Sequence, residues 1–189
     1  MATAELKGHV VLFRMKSDRF CELPLSETVK LELLNGKVFA RPWPTPFYQY
    51  FVFQLGAVVE QWAGAHKLGA VLPDTLMKLD EDWTPAPDFV FVARKHWHRV
   101  KERQIEGPVD LAVEVLSPED EDLDREIKFG AYGKFGIPWY WIVDLQKRVL
   151  EEYKRLGRSY GSLVKVSFDE PFEPRLFPGL VIDLASLEW

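Results

Sequence analysis

Residues 109–144 read VDLAVEVLSPEDEDLDREIKFGAYGKFGIPWYWIVD, and this stretch decides the fold. Leu111-Ala112-Val113-Glu114-Val115-Leu116 has the length and β-branched content of a buried strand. A turn with helix-start signals follows, then a helical pattern, then a second buried run ending at Asp144. Glu114 is the anomaly. An ionised, unpaired carboxylate inside such a strand costs several kcal/mol. Either the strand is half-exposed and Glu114 faces water, or a metal ion or another cation compensates it. A second acid stands at the mouth of Pro87-Asp88-Phe89-Val90-Phe91-Val92. Alone, Asp88 reads as a turn residue that starts a strand; beside Glu114 it becomes part of a candidate site.

The 189 residues fit one domain, 1–189, with a substantial core, and no repeat, low-complexity tract or interdomain linker interrupts them. With 47% hydrophobic and 28% charged residues the composition is that of a folded chain, and 14% aromatics will dominate core and interfaces. That aromatic load makes a homodimer an expectation. A net charge of −5 excludes a strongly basic whole-protein field, so nucleic-acid binding has to rest on a local patch. Cys21 is the single cysteine, which excludes an internal disulfide and a CxxC motif. With no signal-peptide pattern and no apolar run of the roughly 18 residues needed to span a bilayer, a cytoplasmic location without membrane contact is expected.

Outward from this stretch, His9–Phe13 reads as a short strand and residues 17–23 as a short helix stopped by Pro24. Asn35-Gly36 between 29–34 and 37–40 is a hairpin signal, because both residues tolerate φ > 0. After the extended, proline-rich segment 41–46, a helix is expected over 47–65, its core stripe Phe51, Leu55, Val58, Val59 and Trp62. Strands are expected at 71–72, 76–79, 148–154, 163–168 and 180–184. The basic cluster of Arg94, Lys95, Arg99, Lys101 and Arg103 reads either as a solvated face or as a phosphate-contacting flank, since it directly follows the Asp88 strand.

In the turn after Glu114, Ser117 can cap a helix that starts at Pro118, with Asp120 in a capping-box relation. Glu119, Asp120, Glu121 and Asp122 complement the helix dipole there and are not read as ligands. Asp124, Lys128 and Tyr132 recur every four residues and share a face bordering the apolar stripe of Leu123, Ile127, Ala131 and Phe135. Asp124–Lys128 could be an ordinary surface pair. If the helix packs back along the strand, however, Lys128 lies about 13 Å below the helix start and Glu114 about 7 Å below the strand end. A lysine stem of about 6 Å, tilted toward the helix N-terminus, closes that gap. On that geometry Lys128 can point at Glu114. No GxSxG, GxxxxGK[ST] or HExxH motif is present, and His96 and His98 lack the neighbours of a zinc site.

A strand beginning Pro-Asp, a second strand with a central acid and a nearby lysine together resemble the PD-(D/E)XK nuclease superfamily. More narrowly, the chain resembles the Uma-type family of putative restriction endonucleases. The matching pieces are 31–38 (LELLNGKV), 87–92 (PDFVFV), 113–118 (VEVLSP), Asp124, Lys128 and Tyr132, and 136–144 (GIPWYWIVD). The superfamily's lysine follows the acid by two residues, where Leu116 stands; in this family it is moved to the next helix, at Lys128. The family pattern also opens its long helix with His-Gln, where this chain has Tyr48-Gln49.

The resemblance implies an α+β, α/β/α-like fold: a restriction-endonuclease-like core with a mixed central sheet, flanking helices and extra antiparallel strands. It implies metal-assisted hydrolysis of DNA phosphodiesters, with Asp88, Glu114 and Lys128 catalytic. Asp88 and Glu114, with the Val115 carbonyl, would hold Mg²⁺ or Mn²⁺. Lys128 would orient or deprotonate the attacking water, Glu32 would be a further acidic ligand, and Tyr132 and Asp124 would support Lys128. On this reading Lys128→Met is expected to fold normally. The alternative is a catalytically inactive module of the same fold that binds nucleic acid or a protein partner.

Overall fold

The computed structural model describes residues 10–24, 26, 28–117 and 121–188. Its centre is a six-stranded sheet, ordered β11-β10-β9-β8-β6-β4. These strands are β4 (Gly69–Pro73), β6 (Phe89–Ala93), β8 (Leu111–Leu116), β9 (Trp139–Asp144), β10 (Val149–Leu156) and β11 (Ser159–Ser167). β8 and β9 run parallel, with Glu114 opposite Ile142, and the other pairs are antiparallel, which makes the sheet mixed. A three-stranded antiparallel sheet, β1-β3-β2, packs beside it, built from β1 (Val10–Arg14), β2 (Val29–Leu34) and β3 (Lys37–Pro42). Asn35 and Gly36 turn the β2–β3 hairpin at φ 52° and 70°, the left-handed conformation that this dipeptide tolerates. A small parallel pair joins β5 (Met77–Lys78) to β7 (Ile105–Glu106).

Strand alternation assigns the two faces of β8. Leu111, Val113 and Val115 join one core with Phe51, Leu55 and Val59 of α2 (Pro46–Ala65), the long helix after the short α1 (Ser17–Cys21). Ala112 and Leu116 join the other core, with Tyr132, Ile137, Tyr140 and Ile142. Both faces are covered, so all six residues of β8 are buried, Glu114 included. Glu114 therefore does not face water on an open edge. Its side of the sheet is covered by the Leu123–Lys128 segment and by α3 (Phe129–Phe135), which ends on Gly136 at φ 92°.

Several details differ from the sequence reading. Leu123–Lys128 forms a π-helical turn instead of ordinary α-helix, and in this wider turn Leu123, Asp124 and Lys128 are all buried. Of the strand expected at 76–79, only Met77–Lys78 pairs. Residues 180–184 form no strand; a single bridge joins Ile182 to Phe172, and Leu180, Ile182 and Leu184 serve as core side chains instead. Pro118, Glu119 and Asp120 of the expected capping box, and His9 of the first strand, lie outside the described residues. Among the described residues no helix is long and apolar enough to cross a membrane.

Candidate active site

The parallel β8–β9 pair and its covering helix bring together the residues that a single strand could not. Lys128 is completely buried, and its Nζ lies 3.0 Å from Glu114 Oε1, 3.0 Å from Asp124 Oδ1 and 3.1 Å from Glu32 Oε1. The Tyr132 hydroxyl donates to Glu114 Oε1 at 2.8 Å. The second oxygen of Glu114, Oε2, is buried with no hydrogen-bond partner among the described residues. Glu32 reaches this centre from β2. It accepts the Ala86 N–H at 2.8 Å and pairs with Arg41 Nη2 of β3 at 3.1 Å.

Asp88 sits immediately before β6, and its N–H donates to the Val113 carbonyl, which anchors it to β8. Its Oδ2 accepts the Val115 N–H at 2.8 Å and the Tyr48 hydroxyl. The same Tyr48 hydroxyl also contacts the Val115 carbonyl oxygen. Lys30, two residues before Glu32 and on the same face of β2, places Nζ 3.3 Å from Asp88 Oδ1 and 2.7 Å from Asp74 Oδ1. Arg41 and Tyr48 also line a cavity of about 570 Å³ with Trp43, Phe47, Leu116 and Leu145, which brings open space up to the edge of the cluster.

The charges are unbalanced. Four carboxylates, Glu32, Asp88, Glu114 and Asp124, are buried, with Lys30, Lys128 and the nearly buried Arg41 as the cations among them. Burial would raise Glu32, but Arg41, Lys128, Lys30 and the Ala86 N–H outweigh it and hold that carboxyl at about 2. Glu114 moves the other way. Burial, together with Asp124, Asp88 and Glu32, pushes its carboxyl well above the usual range despite Lys128. Asp124 is raised as well, by burial, Glu32 and Asp88 against the pull of Lys128 and Arg41. Burial would lower Lys128, but Asp124, Glu114 and Glu32 raise it, so the ammonium stays charged. Burial and Asp88 likewise keep the Tyr48 hydroxyl protonated.

The family model described as "Uma2: Putative restriction endonuclease" matches residues 17–185. The chain belongs to this family. Among solved structures, the fold resembles a crystal structure titled as a putative nuclease belonging to DUF820 from Anabaena variabilis. The TM-score is 0.73 at 19% sequence identity, covering 92% of this chain and 98% of the other. No curated protein matches the sequence. The Uma2 chain thus has a nuclease-like α+β fold with a central mixed sheet and extra antiparallel strands.

Within it, Glu114, Lys128, Glu32, Asp124 and Tyr132 meet in one buried cluster, and Asp88 stands beside it, tied to β8 through the Val113 carbonyl and the Val115 N–H. Arg94, Lys95, Arg99, Lys101 and Arg103 do not join them. With the five residues of β6 between them, Asp88 and Arg94 are six steps of about 3.3 Å, or about 20 Å, apart. At that far end Arg94–Arg99 forms a 3₁₀ helix, and His96 Nδ1 pairs with Asp110 at 2.9 Å. Lys30 and Arg41 are members that the sequence did not single out, and Tyr48 was noted there only as standing where the family pattern has His. The donor set suits a hard divalent cation: two carboxylates, one of them with an unpartnered oxygen, and a backbone carbonyl. Among the described residues no three His, Cys, Asp or Glu side chains are grouped to hold a metal ion by themselves. Asp124 and Glu32 are instead engaged by Lys128 and Arg41.

Proposed function

We propose that this chain is a divalent-cation-dependent nuclease that hydrolyses DNA phosphodiester bonds at the Asp88–Glu114 cluster. The observation that carries this reading is the unpartnered Glu114 Oε2 in a buried cluster with four carboxylates against three cations. A divalent ion and one phosphodiester together add one net positive charge, which offsets that deficit. Asp88, Glu114 and the Val115 carbonyl would hold Mg²⁺ or Mn²⁺. When bound, that ion supplies Lewis acidity and a water of lowered pKa. The chain's own residues do the positioning. Lys128 fixes Glu114 with a permanent positive charge, and Tyr132 fixes the same oxygen by a hydrogen bond. Asp124 and Glu32 hold Lys128 in turn, and Lys30 braces Asp88.

The contact of Tyr48 with Asp88 and the Val115 carbonyl favours one other reading, an inactive module of this fold that binds nucleic acid or a protein partner. Cleavage assays separate the two. Single-stranded and duplex DNA should be cut with Mg²⁺ or Mn²⁺ and not with EDTA. Asp88→Asn and Glu114→Gln should each lose at least about a hundredfold in rate, about 2.8 kcal/mol of barrier. Cleavage that survives EDTA, or is intact in both variants, would overturn the proposal.

A further inference from the structure

The contact that complicates the cation seat also suggests how it is controlled. Tyr48 Oη lies on Asp88 Oδ2 and on the Val115 carbonyl oxygen. A hydroxyl has one proton, so it can satisfy only one of these two acceptors at a time. The other faces an oxygen lone pair. A divalent cation would satisfy both, at oxygen distances of about 2.1 Å for Mg²⁺. The hydroxyl and the ion therefore call for the same space between the same two atoms.

The backbone of Tyr48 is held while its ring has somewhere to go. Tyr48 is the third residue of α2, and its N–H donates to the Thr45 hydroxyl that caps the helix, at 3.4 Å. Moving the hydroxyl thus requires side-chain rotation and no change in the helix. The ring packs on the core and also lines the cavity of about 570 Å³ beside the half-exposed Trp43 and Phe47.

We propose that Tyr48 gates the cation seat: its hydroxyl competes with the divalent ion for Asp88 Oδ2 and the Val115 carbonyl, and ion entry turns the ring into the adjacent cavity. This rests on the reading that Asp88 and Glu114 hold the ion. It assigns Tyr48 as a residue that sets metal affinity, and therefore the metal concentration at which the site fills.

Binding of Mn²⁺ alone, followed by the electron paramagnetic resonance signal of the free ion, tests this on the full chain. Mg²⁺ competition then checks the second ion. Tyr48→Phe keeps the ring and removes the hydroxyl, so it should bind Mn²⁺ about tenfold more tightly than wild type, the equivalent of one hydrogen bond to a charged group. Tyr48→Leu, read alongside it, should shift affinity in the same direction. Asp88→Asn should bind no ion in either background. Equal affinity in wild type and Tyr48→Phe, with binding abolished by Asp88→Asn, would overturn the gate and leave the metal site standing. Weaker binding in Tyr48→Phe would make the hydroxyl a ligand and also overturn the gate. If neither wild type nor Tyr48→Phe binds Mn²⁺, both the gate and the metal reading fail.

Discussion

Replacing Lys128 by methionine should destabilise the fold severely, contrary to the tolerance expected from sequence. The side chain is fully buried and touches three carboxylates, Glu32, Glu114 and Asp124, each within 3.1 Å. Methionine matches much of the lysine stem but leaves those acids without their shared cation. Removing one partner of a buried ionic group costs about 3–5 kcal/mol, because the remaining charges stay desolvated. For a chain of this size each kcal/mol moves Tm by about 2–4 °C, so the melting point should fall by about 6–20 °C. Lys128→Arg should also destabilise, by roughly 1–3 kcal/mol, since a larger planar group has to enter a filled site. The assay is urea unfolding followed by circular dichroism, with Tm measured in parallel. Exposed Lys134, on α3, is the control, and Lys134→Met should stay within about 0.5 kcal/mol of wild type. Adding Glu114→Gln to Lys128→Met should recover at least about 1 kcal/mol, since it removes one of the stranded carboxylates. A Lys128→Met protein within 1 kcal/mol of wild type, or no recovery in the double variant, would refute the buried-charge reasoning.

The remaining expectations concern metal, pH and the distant basic cluster. Millimolar Mg²⁺ or Mn²⁺ should raise Tm by linkage, and Asp88→Asn or Glu114→Gln should remove the response, as read by thermal melts with and without EDTA. Glu32 is held at about 2 against its ordinary 4.5, so its contribution of about 3 kcal/mol is present above 4.5 and is lost as pH falls toward 2. Glu32→Gln should therefore flatten the acid limb of stability against pH. Glu114 has the opposite sign: its folded value is raised, so its contribution is present at low pH and is lost as pH rises through that value. Metal affinity, measured calorimetrically, should rise with pH in wild type, since the ion binds the deprotonated carboxylate. Reversing the exposed Arg94 and Lys95 to Glu should leave the cleavage rate within about twofold, because the 3₁₀ helix that carries them caps the far end of β6.

Much of the core of this site was legible because a charge in an apolar strand has few explanations. Glu114 and Asp88 were visible as acids at the middle and mouth of buried strands, and Lys128 followed from helix rise and strand rise alone. Lys30 had a usable signal that went unread: Lys30 and Glu32 alternate on one face of β2, so burying one buries the other. Tyr48 was marked only by the resemblance, as the residue standing where the family pattern has His, and nothing local ties the first turn of α2 to an aspartate 40 residues away. The basic cluster directly follows the Asp88 strand in sequence but begins at the far end of β6, because a strand carries its two neighbours to opposite ends. The π-helical turn was hidden for a similar reason. Four-residue spacing reads as ordinary helix, while the burial of Asp124 and Lys128 depends on tertiary contacts with Glu114 and Glu32.

The central claim is that the Asp88–Glu114 cluster is a divalent-cation seat, and anomalous diffraction from crystals soaked in Mn²⁺ tests it most directly. One strong peak is expected within about 2.5 Å of an Asp88 carboxylate oxygen, Glu114 Oε2 and the Val115 carbonyl oxygen, with the Tyr48 ring turned into its cavity. A peak held by other residues, or no peak at saturating Mn²⁺ with Tyr48 still on Asp88, would contradict it.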